Sequence, residues 1–184
     1  MKYQVNSMTN YVYIATSLDG FIATSDGDVD WLDEIPNPEK SDFGFADFMR
    51  GIDALVMGRK SFEKILTFGV WPYDKPVYVL TRSKAEVPQG MENKVEFING
   101  TPSEVVAQLK ELGHRNLYID GGITIQGFLE EDLIGEIIIT RVPLLLGNGI
   151  PLFGELTQRL HFKHKSTEIL NKILVKSHYI RIRD

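Results

Sequence analysis

Short apolar runs alternate with turn residues along most of the chain. Runs rich in β-branched and aromatic residues predict strands at Tyr11–Ala15, Ala54–Met57, Val77–Leu80, Val95–Ile98, Leu117–Ile119 and Glu136–Val142. Two longer runs near the end, Phe162–Ile169 and Ile173–Ile182, flank a turn at residues 170–172 and predict an antiparallel pair. None of these runs reaches the roughly 20 apolar residues that a membrane helix needs.

Helical patterns lie between several of these strands. Thr101-Pro102-Ser103-Glu104 combines a capping box with proline at the first helical position, and Gly113 marks the end of the helix. Its apolar face is predicted to hold Val105, Val106, Leu109 and Leu112. Further helical patterns cover Asp42–Arg50, Arg59–Thr67 and Ile125–Leu129, of which the first is the weakest.

Strands that alternate with helices predict an α/β fold. We expect a mostly parallel sheet covered by helices on both faces, with the closing antiparallel pair at its edge. Two segments rich in glycine, proline or aspartate, Thr24–Pro38 and Leu146–Gly154, are predicted to be loops. The 184 residues fit one domain, which we place at residues 10–184 after an N-terminal extension of residues 1–9.

Composition narrows the possible functions. The formal net charge is −5, which argues against binding to nucleic acid or to an anionic membrane. The absence of cysteine excludes disulfides, thiolate metal sites and cysteine nucleophiles. The four histidines show no metal-ligand spacing, so we expect no metal. The first eleven residues contain no apolar run and do not form a signal peptide, so we expect a cytoplasmic protein.

A candidate phosphate site follows the second predicted strand. Gly58, Arg59, Lys60 and Ser61 link this strand to a helix. A helix start offers unpaired N–H groups to an anion, and glycine lets the backbone approach it closely. The alternative is an ordinary strand-to-helix turn with two solvated cations, and the two interpretations are about equally supported.

Two further strand ends carry similar groups. Leu80, Thr81, Arg82 and Ser83 would place one cation and two hydroxyls at the end of the third strand, although a plain surface loop is the favoured interpretation of this segment alone. Asp120 precedes a turn formed by Gly121, Gly122, Ile123 and Thr124. The two glycines would let a pyrophosphate approach the backbone closely. The alternative is a tight connection in which glycine is needed only for the backbone conformation. Together, three such strand ends in one sheet suggest an extended ligand with two phosphate sites.

Candidate proton donors are harder to identify. Asp19 ends the first strand, Asp26, Asp28 and Asp30 lie in the first loop, and Asp42 begins a helix. A reductase needs a proton beside hydride transfer, and a partly buried carboxylic acid is one source. For the loop aspartates a solvated turn role is strongly favoured, and for Asp42 the alternative is a helix cap. Trp31 would either stack on a flat heterocycle or anchor its loop, and anchoring is favoured.

The chain resembles the dihydrofolate reductase superfamily, and within it the branch of the reductase domain of the riboflavin-pathway deaminase-reductase. The matching segments are YIATSLDGFIA (13–23), DALVMGRKSFE (53–63), VYVLTRS (77–83), residues 117–153 and the closing strand pair. They occur in the expected order and span most of the chain. The resemblance implies a three-layer αβα fold, NADPH as cofactor and a homodimer.

The resemblance also implies roles for particular residues. Gly58–Ser61 would meet phosphates, Leu80–Ser83 would lie near the adenosine 2′-phosphate, and Gly121–Thr124 would hold the pyrophosphate. The Ala15 backbone would face the nicotinamide. Asp42, with Asp19 as a second choice, would supply the proton, while Trp31 and Ile125 would contact the substrate.

Three functions remain open at this point. The first is an NADPH-dependent oxidoreductase like 5-amino-6-(5-phosphoribosylamino)uracil reductase, which acts on a pyrimidine or pterin-like small molecule in riboflavin biosynthesis. The second is a dihydrofolate reductase, which requires Asp42 to be buried in the pocket. The third is a protein that binds NADPH without catalysis.

Overall fold

A computed structural model describes residues 8–83 and 86–183 of the chain. Its strands are β1 (Thr9–Thr16), β2 (Phe21–Ala23), β3 (Ala54–Gly58), β4 (Val77–Leu80), β5 (Val95–Ile98), β6 (Asn116–Asp120), β7 (Glu136–Arg141), β8 (Ile150–Pro151), β9 (His161–Leu170) and β10 (Leu174–Ile182). Its helices are α1 (Phe45–Met49), α2 (Arg59–Leu66), α3 (Pro102–Glu111) and α4 (Gly122–Glu130), and a short 3-10 turn covers Asp30–Leu32.

Eight strands form one sheet in the order β5-β4-β3-β6-β1-β7-β10-β9. The pairs from β5 to β7 are parallel, whereas β10 runs antiparallel to both β7 and β9. This arrangement confirms the predicted α/β fold with a closing antiparallel pair. Parallel strands of one sheet need crossover connections, and α2, α3 and α4 lie in those from β3 to β4, from β5 to β6 and from β6 to β7.

Helices cover both faces of the sheet, as predicted for three layers. On one face, α1 and α2 contribute Met49, Phe62 and Ile65 to a core with the inward side chains of β3 and β4. On the other face, α3 and α4 pack a second core that includes Leu109 and Phe128. The parallel strands are buried from both sides, which explains why their sequences are continuously apolar.

The capping box that the sequence predicts is present at α3. The Thr101 hydroxyl accepts the Glu104 N–H, and the Glu104 carboxylate accepts the Thr101 N–H at 2.8 Å. Val105 and Leu109 are buried as expected, but Leu112 is 61 % exposed and was wrongly placed on the buried face. Leu112 follows the last helical residue, so the helical period no longer applies to it.

Three other local predictions need correction. The first helix begins at Phe45 rather than Asp42, because Gly44 adopts a left-handed conformation with φ +86 and interrupts the helix. The first predicted loop contains the 3-10 turn at Asp30–Leu32. The second contains the short strand β8, which pairs with β2 just before the first loop. Neither strand has an alternating pattern long enough to be detected, because the pairing depends on a partner more than 120 residues away.

The predicted N-terminal extension lies outside the described residues except for Met8 and Thr9. Thr9 already belongs to β1, and its N–H donates to the carbonyl of Arg115, directly before β6. In residues 8–83 and 86–183, no helix has the length and apolar character needed to span a bilayer.

Candidate active site

The sheet splits between its two central strands. Parallel pairing of β1 with β6 ends at Tyr11 and Tyr118, although β1 continues to Thr16 and β6 continues to Asp120. The Tyr118 hydroxyl donates to the Tyr13 carbonyl at 3.0 Å and so satisfies one acceptor near the split. A cleft therefore opens between the carboxyl ends of β1 and β6.

The chain topology also makes this cleft a switch point. After β1 the main sheet continues at β3 on one side, whereas after β6 it continues at β7 on the other side. The helices in these connections, α1 and α4, lie on opposite faces of the sheet. Open α/β sheets bind ligands at such positions, outside the carboxyl ends of the strands.

Two of the predicted phosphate-binding turns are in contact. A Cβ atom added to Gly121 would overlap the Ser61 Oγ, and one added to Gly58 would lie 3.0 Å from the Thr124 Oγ1. Neither α2 nor α4 has a side-chain cap at its start. Two helix N-termini therefore meet beside the cleft with first-turn N–H groups that side chains leave available for an anion.

The third predicted segment is joined to the first. The Arg59 guanidinium donates to the Ser83 Oγ at 3.0 Å and to the Glu63 carboxylate at 2.7 Å. The Thr81 hydroxyl accepts the Ser83 N–H at 3.2 Å. Beyond this network lies a cavity of about 690 Å³, lined by Thr81, Arg82, Ser83, Glu86, Phe97, Ile98 and Asn99. Its volume and its position next to Arg59 suit the adenosine part of a dinucleotide.

The remaining predicted cofactor residues surround these turns. Lys60 is exposed at the start of α2, and Ile123 is exposed at the start of α4. Gly122 is buried, and a Cβ atom there would lie 3.1 Å from the Ile22 Cδ1. Leu80 is half-buried at the end of β4. Ala15 pairs with Thr140 of β7 on one edge, so its other edge faces the split.

The two predicted proton donors are exposed and already engaged. The Asp42 carboxylate accepts the N–H groups of Gly44 and Ala46, which lowers its pKa. The Asp19 carboxylate accepts the Ser17 hydroxyl and the N–H groups of Leu146 and Gly147, and its pKa is also lowered. Acids that are ionised at neutral pH donate protons poorly, so the geometry favours the capping and turn roles for both.

The two predicted substrate contacts are buried. Trp31 is 6 % exposed and packs against Val142 and Leu174, which favours the anchoring interpretation. Ile125 is fully buried in the core beneath α4 and offers no surface to a substrate. The anchoring role of Trp31 was the favoured interpretation, and the helical pattern at Ile125–Leu129 already placed Ile125 on an apolar face that suits the core.

A carboxyl group that the sequence did not single out lies at the cleft. Asp120 is the last residue of β6, where the split is open. Burial raises the pKa of its carboxyl, and the Gly121 backbone N–H and the nearby Tyr118 hydroxyl offset this only in part. The available signal was its position directly before the double glycine. Its protonation, however, depends on neighbours that are distant in sequence.

Aromatic side chains form the wall of the cleft on the α1 side. The Phe48 ring stacks on Tyr13 at 4.6 Å between centroids and meets Tyr118 edge-on at 5.3 Å. Burial, with the charges of Asp42 and Glu168, raises the pKa of Tyr13 to about 12. Burial beside Asp120 likewise raises the pKa values of Tyr73 and Tyr118. These phenols are therefore uncharged at neutral pH.

Comparisons with known proteins agree with this geometry. The family model described as the RibD C-terminal domain matches residues 11–175. The uncharacterized Bacillus subtilis protein YwjB is 42% identical over 175 residues, which are 92% of this chain and 96% of that protein.

Two solved structures are similar to the whole fold. A protein from Shewanella sp. PV-4 that is described as a riboflavin biosynthesis protein superposes with a TM-score of 0.92 at 50% identity, and the match covers 96% of this chain and 100% of that one. Dihydrofolate reductase from Enterococcus faecalis, complexed with NADP(H), gives a TM-score of 0.65 at 15% identity over 95% and 97% of the two chains. These matches confirm the predicted dihydrofolate reductase-like fold and its riboflavin-type branch.

Proposed function

Since the chain belongs to the RibD C-terminal domain family, we propose that it is an NADPH-dependent reductase of the riboflavin-type branch. The observation that carries this proposal is the meeting of two helix starts without side-chain caps at a split in the sheet. This geometry suits the pyrophosphate of a dinucleotide, and the adjoining cavity suits its adenosine part.

The donor set fits NADPH. Gly121 and Gly122 allow close approach of the backbone to phosphate, while Arg59 and Arg82 supply positive charge for the 2′-phosphate. When bound, NADPH would supply the hydride. The chain itself would hold the reacting groups in line and exclude water from the cleft.

The substrate is a flat heterocycle of the pyrimidine or pterin class in this proposal. It would enter the split between β1 and β6, against the aromatic wall of Tyr13 and Tyr118. Asp120 would hold a proton for the product, because burial favours its protonated form. Asp42 would hold the start of α1 in place rather than take part in the reaction.

Dihydrofolate reduction is the weaker enzymatic alternative. It required a buried Asp42, whereas this carboxylate is exposed and binds two backbone N–H groups. The other alternative is a protein that binds NADPH without catalysis, and a turnover assay distinguishes it from a reductase.

A fluorescence titration with NADPH and NADH tests the cofactor, and absorbance at the NADPH band tests turnover with 5-amino-6-(5-phosphoribosylamino)uracil and dihydrofolate. We expect NADPH to bind more tightly than NADH and Arg59→Ala to remove most of this preference. Arg115→Ala is the matched control, because Arg115 precedes the amino end of β6. Absence of NADPH binding, or no effect of Arg59→Ala and Arg82→Ala, would refute the proposal.

A further inference from the structure

A lysine of the C-terminal strand pair reaches back toward the cleft. Lys176 of β10 pairs with Thr140 of β7, which pairs with Ala15 of β1, so β7 and β1 lie between the lysine and the split. Its side chain is 13 % exposed, and its Nζ donates to the Phe43 carbonyl at 2.9 Å. The same Nζ lies 6.0 Å from the centre of the Tyr13 ring. Lys176 therefore joins the C-terminal strand pair to the segment that leads into α1.

The Phe43 carbonyl is shared by two side-chain donors. The Tyr13 hydroxyl donates to it at 2.9 Å from β1, and the Lys176 Nζ donates to it from β10. Within residues 8–83 and 86–183, no backbone N–H donates to this oxygen. The two side chains therefore satisfy the acceptor, and one of them still satisfies it when the other is removed.

The backbone at this point is held in an unfavourable conformation. Phe43 has φ +54 and Gly44 has φ +86, so two consecutive residues lie in the left-handed region. A residue other than glycine stays in that region only where its surroundings hold it. A Cβ atom added to Gly44 would lie 3.1 Å from the Lys176 Nζ, so the lysine head lies directly against this turn. Contact with Lys176 is thus one of the interactions that hold the turn in place.

The helix that follows the turn depends on its neighbours for its position. α1 has only five residues, and an isolated helix of that length is unstable in water. Its Phe48 ring stacks on Tyr13 and meets Tyr118 at the wall of the cleft, whereas the Phe43 ring packs in a separate core with Trp31. Residues 43–44 therefore join these two packed regions, and their place on the sheet decides where Phe48 meets the cleft.

Two carboxylates at this turn have other roles. The Asp42 carboxylate accepts the N–H groups of Gly44 and Ala46, so it fixes the shape of the turn rather than its place on the sheet. The Glu168 carboxylate lies 2.8 Å from the Lys176 Nζ but is 58 % exposed, and exposed ion pairs contribute little. The bond from Lys176 to the Phe43 carbonyl is therefore the contact that ties the turn to the C-terminal strand pair.

We infer that Lys176 is a positioning residue of the substrate cleft, which fixes the turn at Phe43 and Gly44 and thereby the aromatic wall. The inference rests on the proposed function, because it takes this wall as the surface on which the heterocycle stacks. A wall that holds the ring equally well in the ground state and the transition state lowers KM and leaves kcat unchanged. Loss of the Lys176 contact should therefore raise KM roughly five- to tenfold and change kcat by less than about twofold. The rise in KM is limited because the Tyr13 hydroxyl still binds the same carbonyl.

The test removes the donor and keeps a side chain of similar length. Lys176→Met is the variant, and Lys165→Met is the matched control, because Lys165 is a lysine of β9 that also pairs with a carboxylate, that of Glu136 at 3.4 Å. KM and kcat are measured for 5-amino-6-(5-phosphoribosylamino)uracil with saturating NADPH, and the Kd of NADPH is measured by fluorescence titration. We expect the rise in KM in Lys176→Met alone, and the NADPH affinity of the unmodified protein in both variants.

Hydrogen exchange reports on the turn without any substrate. The backbone amides of residues 43–49 should exchange several-fold faster in Lys176→Met than in Lys165→Met, because the turn has lost one of its two ties to the sheet. Thermal melts show whether both variants remain folded.

Two further variants separate the carbonyl contact from the ion pair. Glu168→Gln removes the ion pair and leaves the bond to Phe43, so its KM should stay within about twofold of that of the unmodified protein. Tyr13→Phe keeps the ring and removes the other donor, and Tyr13→Phe/Lys176→Met leaves the Phe43 carbonyl without either side chain. The double variant should raise KM by more than the product of the two single effects, by roughly threefold or more, because only then is the acceptor left unsatisfied.

Equal KM values in Lys176→Met and Lys165→Met, or equal exchange of residues 43–49 in both, would overturn the inference and leave the proposed function intact. The same holds if Glu168→Gln raises KM as much as Lys176→Met does, because the ion pair would then carry the effect. Failure of Lys176→Met alone to fold would also overturn it, since Lys176 would then serve the whole fold. An unmodified protein that binds no NADPH or reduces no heterocycle would instead contradict the proposed function, and the exchange measurement would still decide whether Lys176 holds the turn.

Discussion

The turn at Gly121 and Gly122 offers the most direct test of the proposed phosphate site at the start of α4. Gly121 has φ +86 and ψ 135, a backbone region used almost only by glycine, which costs a residue with a Cβ at least about 1–2 kcal/mol. A Cβ atom there would also overlap the Ser61 Oγ, and overpacking of this kind costs about 1–3 kcal/mol more. We therefore expect Gly121→Ala to lose about 2–5 kcal/mol of unfolding free energy, the sum of these two terms.

Gly90→Ala is the matched control. Gly90 has nearly the same backbone angle, φ +84, but a Cβ atom there meets nothing within 4 Å. The control should lose only the backbone term of about 1–2 kcal/mol. In a chain of this size, this corresponds to a fall in Tm of about 2–8 °C. The double variant Gly121→Ala/Ser61→Ala should recover the stability of the control, because the overlapping hydroxyl is gone.

The affinity for NADPH should also differ between Gly121→Ala and Gly90→Ala. The added methyl group would keep phosphate away from the backbone N–H groups, and one lost charge-assisted hydrogen bond is worth about 1.5–3 kcal/mol. Gly121→Ala should therefore weaken NADPH binding roughly 10- to 100-fold, while Gly90→Ala leaves it unchanged. Thermal melts give the stabilities, and fluorescence titration gives the Kd. Equal NADPH affinity in both variants would refute the assignment of this turn as a phosphate site.

Three further predictions address the proposed proton donor, a helix cap and residues 24–44 between β2 and α1, which we call the arch. Because burial raises the pKa of Asp120, its ionisation opposes folding, so stability is lost as the pH rises through the folded pKa. Asp120→Asn should then gain stability relative to the unmodified protein as the pH rises above the ordinary pKa of an aspartate, about 4. Its kcat should fall about 10²- to 10⁴-fold. Thermal melts across pH and turnover assays check both, and unchanged turnover would exclude Asp120 as the proton donor. Thr101→Ala removes one member of the capping box and should cost about 1 kcal/mol in urea unfolding, whereas Thr101→Ser should cost little. Trp31→Ala should cost about 3–5 kcal/mol, because the ring is buried in the core of the arch; a loss of substrate affinity with unchanged stability would restore the stacking role.

Local patterns predicted most of the fold. Continuous apolar runs identified β3, β4 and β6, because strands buried on both faces need no polar positions. The capping box at Thr101 located the start of α3, because all the groups that form it lie within four residues. The prediction failed at β2 and β8, where neither strand carries a pattern and each depends on the other.

The proposed site could be predicted from the sequence on its cofactor side but not on its substrate side. Glycines and basic residues at strand ends give a local signal, and the structure brings Gly58, Ser61 and Gly121 together as expected. Aspartates give no such signal, because caps, turns and catalytic acids share one residue type. Asp42 and Asp120 differ only in what surrounds them.

The sequence by itself determined the order of strands and helices, the glycine turns and the acidic character of the arch, since each depends on residues close together in the chain. Only the tertiary structure decided where the sheet splits, because pairing of β1 with β6 joins segments more than 100 residues apart. The same long-range packing surrounds Asp120 with Tyr73 and Tyr118 and withdraws its carboxyl from water. Desolvation is a property of neighbours in space, and for this reason the proposed proton donor could be identified only from the fold.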